Sequence, residues 1–180
     1  MNVRAKAFTE ALSSVQLENV FNPYADFCEL HDRPDSAARR RQNLELSLSR
    51  ALELNVRTMW IARDLGYRGG RRTGLALTDE MHLGSYSALF RGLPVEKATK
   101  GPAMGERTAS TVWRLLARIN EPVFLWNVFP LHPHEPNEPM SNRCHTARER
   151  NTCGEFFHAM INLLQPEKII AIGGDAHRAV

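Results

Sequence analysis

Residues 58–78 read TMWIARDLGYRGGRRTGLALT. A short apolar run, 58–62, is followed by a lone acid, Asp64. Three glycines, Gly66, Gly69 and Gly70, then stand among three arginines, Arg68, Arg71 and Arg72. The run is apolar and bounded by turn residues, which predicts a buried strand with an acid just past its end. The stretch 123–128 (VFLWNV) predicts a second buried strand, and 168–172, which is followed by Gly173 and Gly174, a third strand. Helical periodicity fills the intervals. Val112, Leu115, Leu116 and Ile119 fall on one side of a predicted helix over 108–119. Thr146 and Glu149 have the form of a capping box. Behind that box, Cys153, Phe156, Phe157, Met160, Ile161 and Leu164 repeat at helical spacing until Pro166 stops the run.

Upstream, residues 4–17 predict a first helix. A second is predicted from Pro34-Asp35-Ser36 onward, with Leu44, Leu48, Ala51 and Leu52 on its apolar face. The stretch 85–105 carries Gly92, Pro94, Gly101, Pro102 and Gly105 and reads largely as loop; 131–143 is a proline-rich loop. Strands alternating with helices predict an α/β chain: a three-layer α/β/α sandwich around a mainly parallel four-stranded sheet. In such sheets ligands bind beyond the carboxyl ends of the strands. Asp64, Asn127 and Gly173 all fall at such ends.

A chain of 180 residues, 43% hydrophobic and 24% charged, fits one globular domain. After Gly173 the sequence GDAHRAV reads as the first turns of a helix. So short a helix needs a continuation to pack it, and a further helix and the fourth strand are expected beyond Val180. Lysine and arginine exceed acids by three (23 − 20), a mildly basic balance. Its meaning depends on where the arginines sit. Arg39, Arg40 and Arg41 are read as a solvated helix face. No apolar run reaches the length of a membrane span. Residues 1–12 lack the apolar core of a secretory signal. Three cysteines without a CxxC pair argue against a disulfide framework, and a cytoplasmic setting is expected.

Several chemistries fail on spacing. GYRGGRRT lacks the lysine of a phosphate-binding P-loop, and the glycines do not match a dinucleotide fingerprint. His132, His134, Glu135, Cys144 and His145 are zinc-ligand types, but their spacing matches no familiar site, so no metal is assigned. What remains is an acid and an amide at two strand ends. A carboxylate can orient water or stabilise a developing cation. An asparagine amide, with one acceptor and two donors, suits the edge of a pyrimidine. The plainer alternatives are an ion pair for Asp64 with a neighbouring arginine, and a turn or cap role for Asn127.

In their order and spacing, TMWIARDLGYRGGRRTGLALTDE, VFLWNVFPLHPHEPNEPMSNRCHT and KIIAIGGDAHRA resemble the uracil-DNA glycosylase superfamily. The residues 62–66 fall on its GQDPY or GEAPG motif, Asn127 on its base-reading asparagine, and Asn142-Arg143 on a later pair. The resemblance covers roughly 58–180. It implies an enzyme of base excision repair that flips uracil out of DNA and hydrolyses the N-glycosidic bond. Asp64 and Asn127 are then catalytic. Gly66, Tyr67, Leu77 and Asn127 bind the base. Arg68, Arg71, Arg72 and Arg143 meet the DNA backbone, where bare glycine allows close approach. The implied partner is uracil-containing DNA, the implied state a monomer, and no cofactor is required.

Four departures shape the expectation. Leu77 stands where a base-stacking phenylalanine is usual. Gly66 replaces the tyrosine that blocks the thymine methyl, so exclusion falls to Tyr67 or is lost. A wider base range, with hypoxanthine or xanthine, follows from the second case. Cys153 resembles one ligand of the iron–sulfur cluster found in many GEAPG members, but Leu131 replaces another, and no cluster is expected. No histidine motif of the HPS type follows Gly173. Two rival readings stay open: a protein that grips uracil or abasic DNA without turnover, and a nucleotide or nucleoside hydrolase on a similar sheet.

Overall fold

The computed structural model describes residues 2–179. In chain order these form α1 (Val3–Ser13), β1 (Val20–Phe21), α2 (Ser36–Glu53), β2 (Thr58–Asp64), α3 (Gly70–Thr73) and a 3-10 turn (Glu80–His82). Then come α4 (Leu83–Leu89), α5 (Arg107–Ile119), β3 (Phe124–Phe129), β4 (His132–Pro133), α6 (Ala147–Leu164), β5 (Lys168–Ala171) and α7 (Gly174–Ala179). Strands β2, β3 and β5 form a parallel sheet in the order β3-β2-β5, flanked by helices as an α/β sandwich requires. The sheet has three strands among the described residues; the expected fourth falls outside them.

Alternation along the strands fixes which side chains share a face. Trp126 of β3 points to the side of α1, where Phe8 meets its ring edge-on at 5.6 Å and also meets Phe156 of α6 at 5.8 Å. Asn127 and Phe129 therefore point to the other side. Ala62 pairs with Asn127 and Asp64 with Phe129 in the register of β2 and β3. Asp64, Ala62 and Asn127 thus stand on one face of adjacent strands, near their carboxyl ends.

Helix α6 begins at the expected capping box. Thr146 Oγ1 accepts from the Glu149 N–H at 3.2 Å, and Glu149 Oε2 accepts from the Thr146 N–H at 2.6 Å. Caps of this kind contribute about 1 kcal/mol. The α5 face differs from the expected one. Ala109, Val112, Trp113 and Leu116 are buried, whereas Leu115 and Ile119 are 45% and 44% exposed. Trp113 lies one residue round from Val112. Burying its large ring against Tyr86 at 5.6 Å rotates the inward stripe away from Leu115 and Ile119. The stretch read as loop from residue 85 carries most of α4, whose Tyr86 stacks on Phe90 at 4.9 Å.

Arg40 corrects the reading of 39–41 as a solvated face. It is 1% exposed and bonds Asp32 through two nitrogens at 2.9 and 2.8 Å. Further donations reach the carbonyls of Pro23 and Asp26 at 2.6 and 3.0 Å. The two-residue ribbon β1–β4 ties the proline-rich loop to the N-terminal segment. No helix among the described residues is long and apolar enough to cross a membrane.

Candidate active site

Asp64 is the last residue of β2, and its side chain is 6% exposed. Both carboxylate oxygens are engaged. Oδ1 bonds His145 Nδ1, and Oδ2 accepts from Arg63 Nε. Arg63 also reaches Asp175 of α7 at 2.9 Å. The His145 ring lies 5.4 Å from that of Phe129, on the same sheet face. An acid held this way has a fixed orientation, and its imidazole partner can share a proton with it.

Asp64 lines a cavity of about 290 Å³ beyond the strand ends. That is close to the small end of ligand-sized cavities, roughly 300 Å³. Its wall includes Ala62, Gly66, Leu77, Glu106 and Asn142. Leu77 has a left-handed backbone, φ 53°, a conformation that costs a non-glycine residue about 1–2 kcal/mol. Its carbonyl accepts from Trp113 Nε1 at 3.2 Å, which ties the bend to α5. Asn142 accepts the Tyr67 N–H at 2.9 Å and so joins the glycine loop to the proline-rich loop.

Asn127 is 1% exposed, and neither atom of its amide has a hydrogen-bond partner among the described residues. It is not on the cavity wall itself. It lies one strand over from Ala62, which is. A buried amide left unpaired is unfavourable by about 1–3 kcal/mol, and such groups are rare in folded proteins.

The predicted DNA-facing arginines divide. Arg68 is exposed. Arg71 and Arg72 are buried, 4% and 6% exposed, and are corrected to roles inside the fold. The Arg71 guanidinium stacks on Phe21 at 3.8 Å and bonds His132 and the Pro139 carbonyl. Arg72 pairs with Glu80 at 3.1 Å and donates to Thr99 at 2.9 Å. Arg143 lines the cavity, but its guanidinium is occupied by Glu149 and by the carbonyls of His134 and Asn19. The reason is the same in each case: a partly desolvated guanidinium needs several acceptors, and the loops supply them.

Tyr67 does not line the cavity. Its hydroxyl accepts from Arg68 Nε at 2.7 Å, and the same guanidinium covers its ring at 5.4 Å. It therefore does not stand in for the missing tyrosine at Gly66. The volume over Gly66 and Gly69 is taken by the Glu106 carboxyl, which a methyl group on either glycine would overlap.

The histidines of zinc-ligand type diverge. His145 belongs to Asp64, while His132 is fully buried under Arg71. Arg71 donates to its Nδ1 at 3.1 Å, and its Nε2–H donates to the Ser141 carbonyl at 2.8 Å, so the ring is neutral. Burial, with Arg71 next to it, lowers its pKa to about 3. The unfolded chain takes up this proton near pH 6.5 and the folded chain does not. Stability should therefore be intact above about pH 6.5 and fall on the order of several kcal/mol towards about pH 3. Urea titrations across that range check it; a flat profile for the His132 contribution, read against His132→Gln, would contradict it.

Two residues of the site escaped the sequence reading. In the sequence His145 stands out only as a zinc-ligand type, and nothing distinguishes Glu106 from other acids. The place of Glu106 at the N-cap of α5, where serine, threonine, aspartate or asparagine is usual, and its lack of a cap bond are visible only once the helix start at Arg107 is known.

The chain belongs to the uracil DNA glycosylase superfamily, whose family profile matches residues 52–180. No curated protein sequence matches it. Membership supports, at the level of the family, a DNA glycosylase of base excision repair that acts on DNA.

Proposed function

We propose that the protein is a monofunctional uracil-DNA glycosylase centred on Asp64. The observation that carries this reading is Asp64, held by His145 at the end of β2 and lining a cavity large enough for a nucleobase. A uracil seated in this cavity would lie against Ala62, on the sheet face that also carries Asn127, whose buried and unpaired amide has a donor and an acceptor suited to a base edge. The extruded nucleotide is reachable only in this flipped state. As the bond from C1′ to the base nitrogen breaks, its electron pair leaves with the base. Asp64 stabilises the positive charge left on the sugar and orients a water for attack on C1′. The proton lost by that water passes to the Asp64–His145 pair. Arg68 is the exposed cation closest in sequence to the glycine loop and is assigned to the phosphates.

The test is an oligonucleotide with one uracil. Treatment with the protein should leave an alkali-labile site, with free uracil released. Retarded migration on a gel without base release would select the non-catalytic binding protein instead. Hydrolysis of free deoxyuridine with no response to DNA would select the nucleoside hydrolase.

A further inference from the structure

Glu106 is an unexplained group in this cavity. It stands at the N-cap of α5, yet its carboxyl turns away from the helix N–H groups. It rests over the bare backbone of Gly66 and Gly69, on the wall that it shares with Asp64. Among the described residues the carboxyl has no hydrogen-bond partner, while its own backbone N–H is held by Asp79 Oδ2 at 2.6 Å. A residue fixed at its backbone, with its head free in a cavity, is placed to meet a ligand.

We infer that Glu106 contacts the extruded base opposite Asp64, and that it does so as a neutral carboxylic acid donating a hydrogen bond to a carbonyl oxygen or ring nitrogen of that base. The inference rests on the glycosylase reading and adds to it the group that receives the leaving base. Uracil and hypoxanthine both present such acceptors. A carboxylate in the same place would repel the negative charge that develops as the bond breaks. No step needs a co-reactant: water adds at C1′, the base leaves with the bonding pair, and the Glu106 hydroxyl stabilises it.

The surroundings favour the proton. Burial raises the Glu106 pKa, the Asp79 carboxylate raises it further, and Arg68 opposes them. Asp79 itself is engaged by His82 at 2.6 Å. The other charged groups around the site are Asp64 with Arg63 and His145, Arg143 on the wall, and Arg107 following on α5. A raised carboxyl holds its proton in the folded chain after the unfolded chain has lost it. Stability is therefore undiminished below the ordinary carboxyl range and falls as pH rises towards the folded value.

The experiment compares wild type, Glu106→Gln and Glu106→Ala. Binding is measured to DNA carrying 2′-fluoro-2′-deoxyuridine, which resists cleavage, and single-turnover release is measured from uracil DNA, from about pH 5 to about pH 8. Wild-type affinity and rate should fall about tenfold or more as Glu106 ionises. Glu106→Gln, neutral and still a donor, should lose that decline; Glu106→Ala should be weak throughout. Glu106→Gln should also melt above wild type at neutral pH, with the gap closing in acid, which checks folding and protonation together. An alanine variant with wild-type affinity and rate, or a glutamine variant with the wild-type pH profile, overturns the role of Glu106 while leaving the glycosylase. If pH-dependent binding persists without release, Glu106 stands and the turnover reading falls. If there is neither binding nor release, both fall.

Discussion

Asp64→Asn is expected to slow uracil release about 10²–10³-fold, the range for removing one preorganised group that meets developing charge. Affinity for the 2′-fluoro substrate should change little, because the amide keeps nearly the same volume and one acceptor oxygen. The loss falls on turnover because the negative charge matters only once the sugar becomes positive. His145→Ala should give a smaller loss. It removes the partner that orients Asp64 through Oδ1 but leaves the bond from Arg63 to Oδ2. Single-turnover rates and fluorescence binding on the same duplex separate the two effects. An asparagine variant with full turnover would show that Asp64 is only one end of an ion pair with Arg63 and His145, and the chemistry assigned to this cavity would have to move elsewhere.

The largest expected change in stability comes from Arg40→Met. Arg40 and Asp32 are 1% and 4% exposed, and the arginine also donates to two backbone carbonyls. Removing it leaves a buried carboxylate whose remaining tie is the Cys28 N–H at 3.0 Å. Breaking one side of such a pair typically destabilises by about 3–5 kcal/mol. Replacing both, as Arg40→Met with Asp32→Leu, should recover part of the loss, since an apolar pair no longer carries an uncompensated charge. Urea unfolding of the three variants measures this. A single variant within about 1 kcal/mol of wild type would mean that water reaches Asp32 freely. The pair also bears on the site: Arg40 and Arg71 both stack on Phe21, at 5.5 and 3.8 Å, and Arg71 anchors the far side of the glycine loop. Arg40→Met should therefore lower activity somewhat even where the chain still folds.

The strands were legible because each is a short apolar run bounded by turn residues, although only β2 and β3 are buried and the edge strand β5 alternates between exposed and half-buried positions. Runs at 58–62, 123–128 and 168–172 became β2, β3 and β5 within one or two residues at each end. The capping box of α6 is likewise a local signal, spanning the four residues 146–149, and it formed as expected. What failed were readings that needed a partner distant in the chain; the ion pair of Asp64 with its neighbour Arg63 did form. The three arginines of 68–72 look equivalent in sequence. Which of them meets solvent depends on Phe21, Glu80, Thr99 and Pro139, and none of these is a neighbour in the chain. The ribbon β1–β4 has two residues on each side, too few for a periodicity. The face of α5 turned with one tryptophan.

The sequence by itself determined where the strands run and which acid and which amide stand at their ends, because side-chain alternation and apolar burial are local and strong. Only the tertiary structure decided the company of that acid. It brought His145 across 81 positions to Asp64 and the Glu106 carboxyl onto two glycines some forty residues upstream, and it drew Arg71 and Arg72 inward. Hydrogen bonds and ion pairs depend on distance in space, and chain order fixes that distance only after the sheet and its loops have closed.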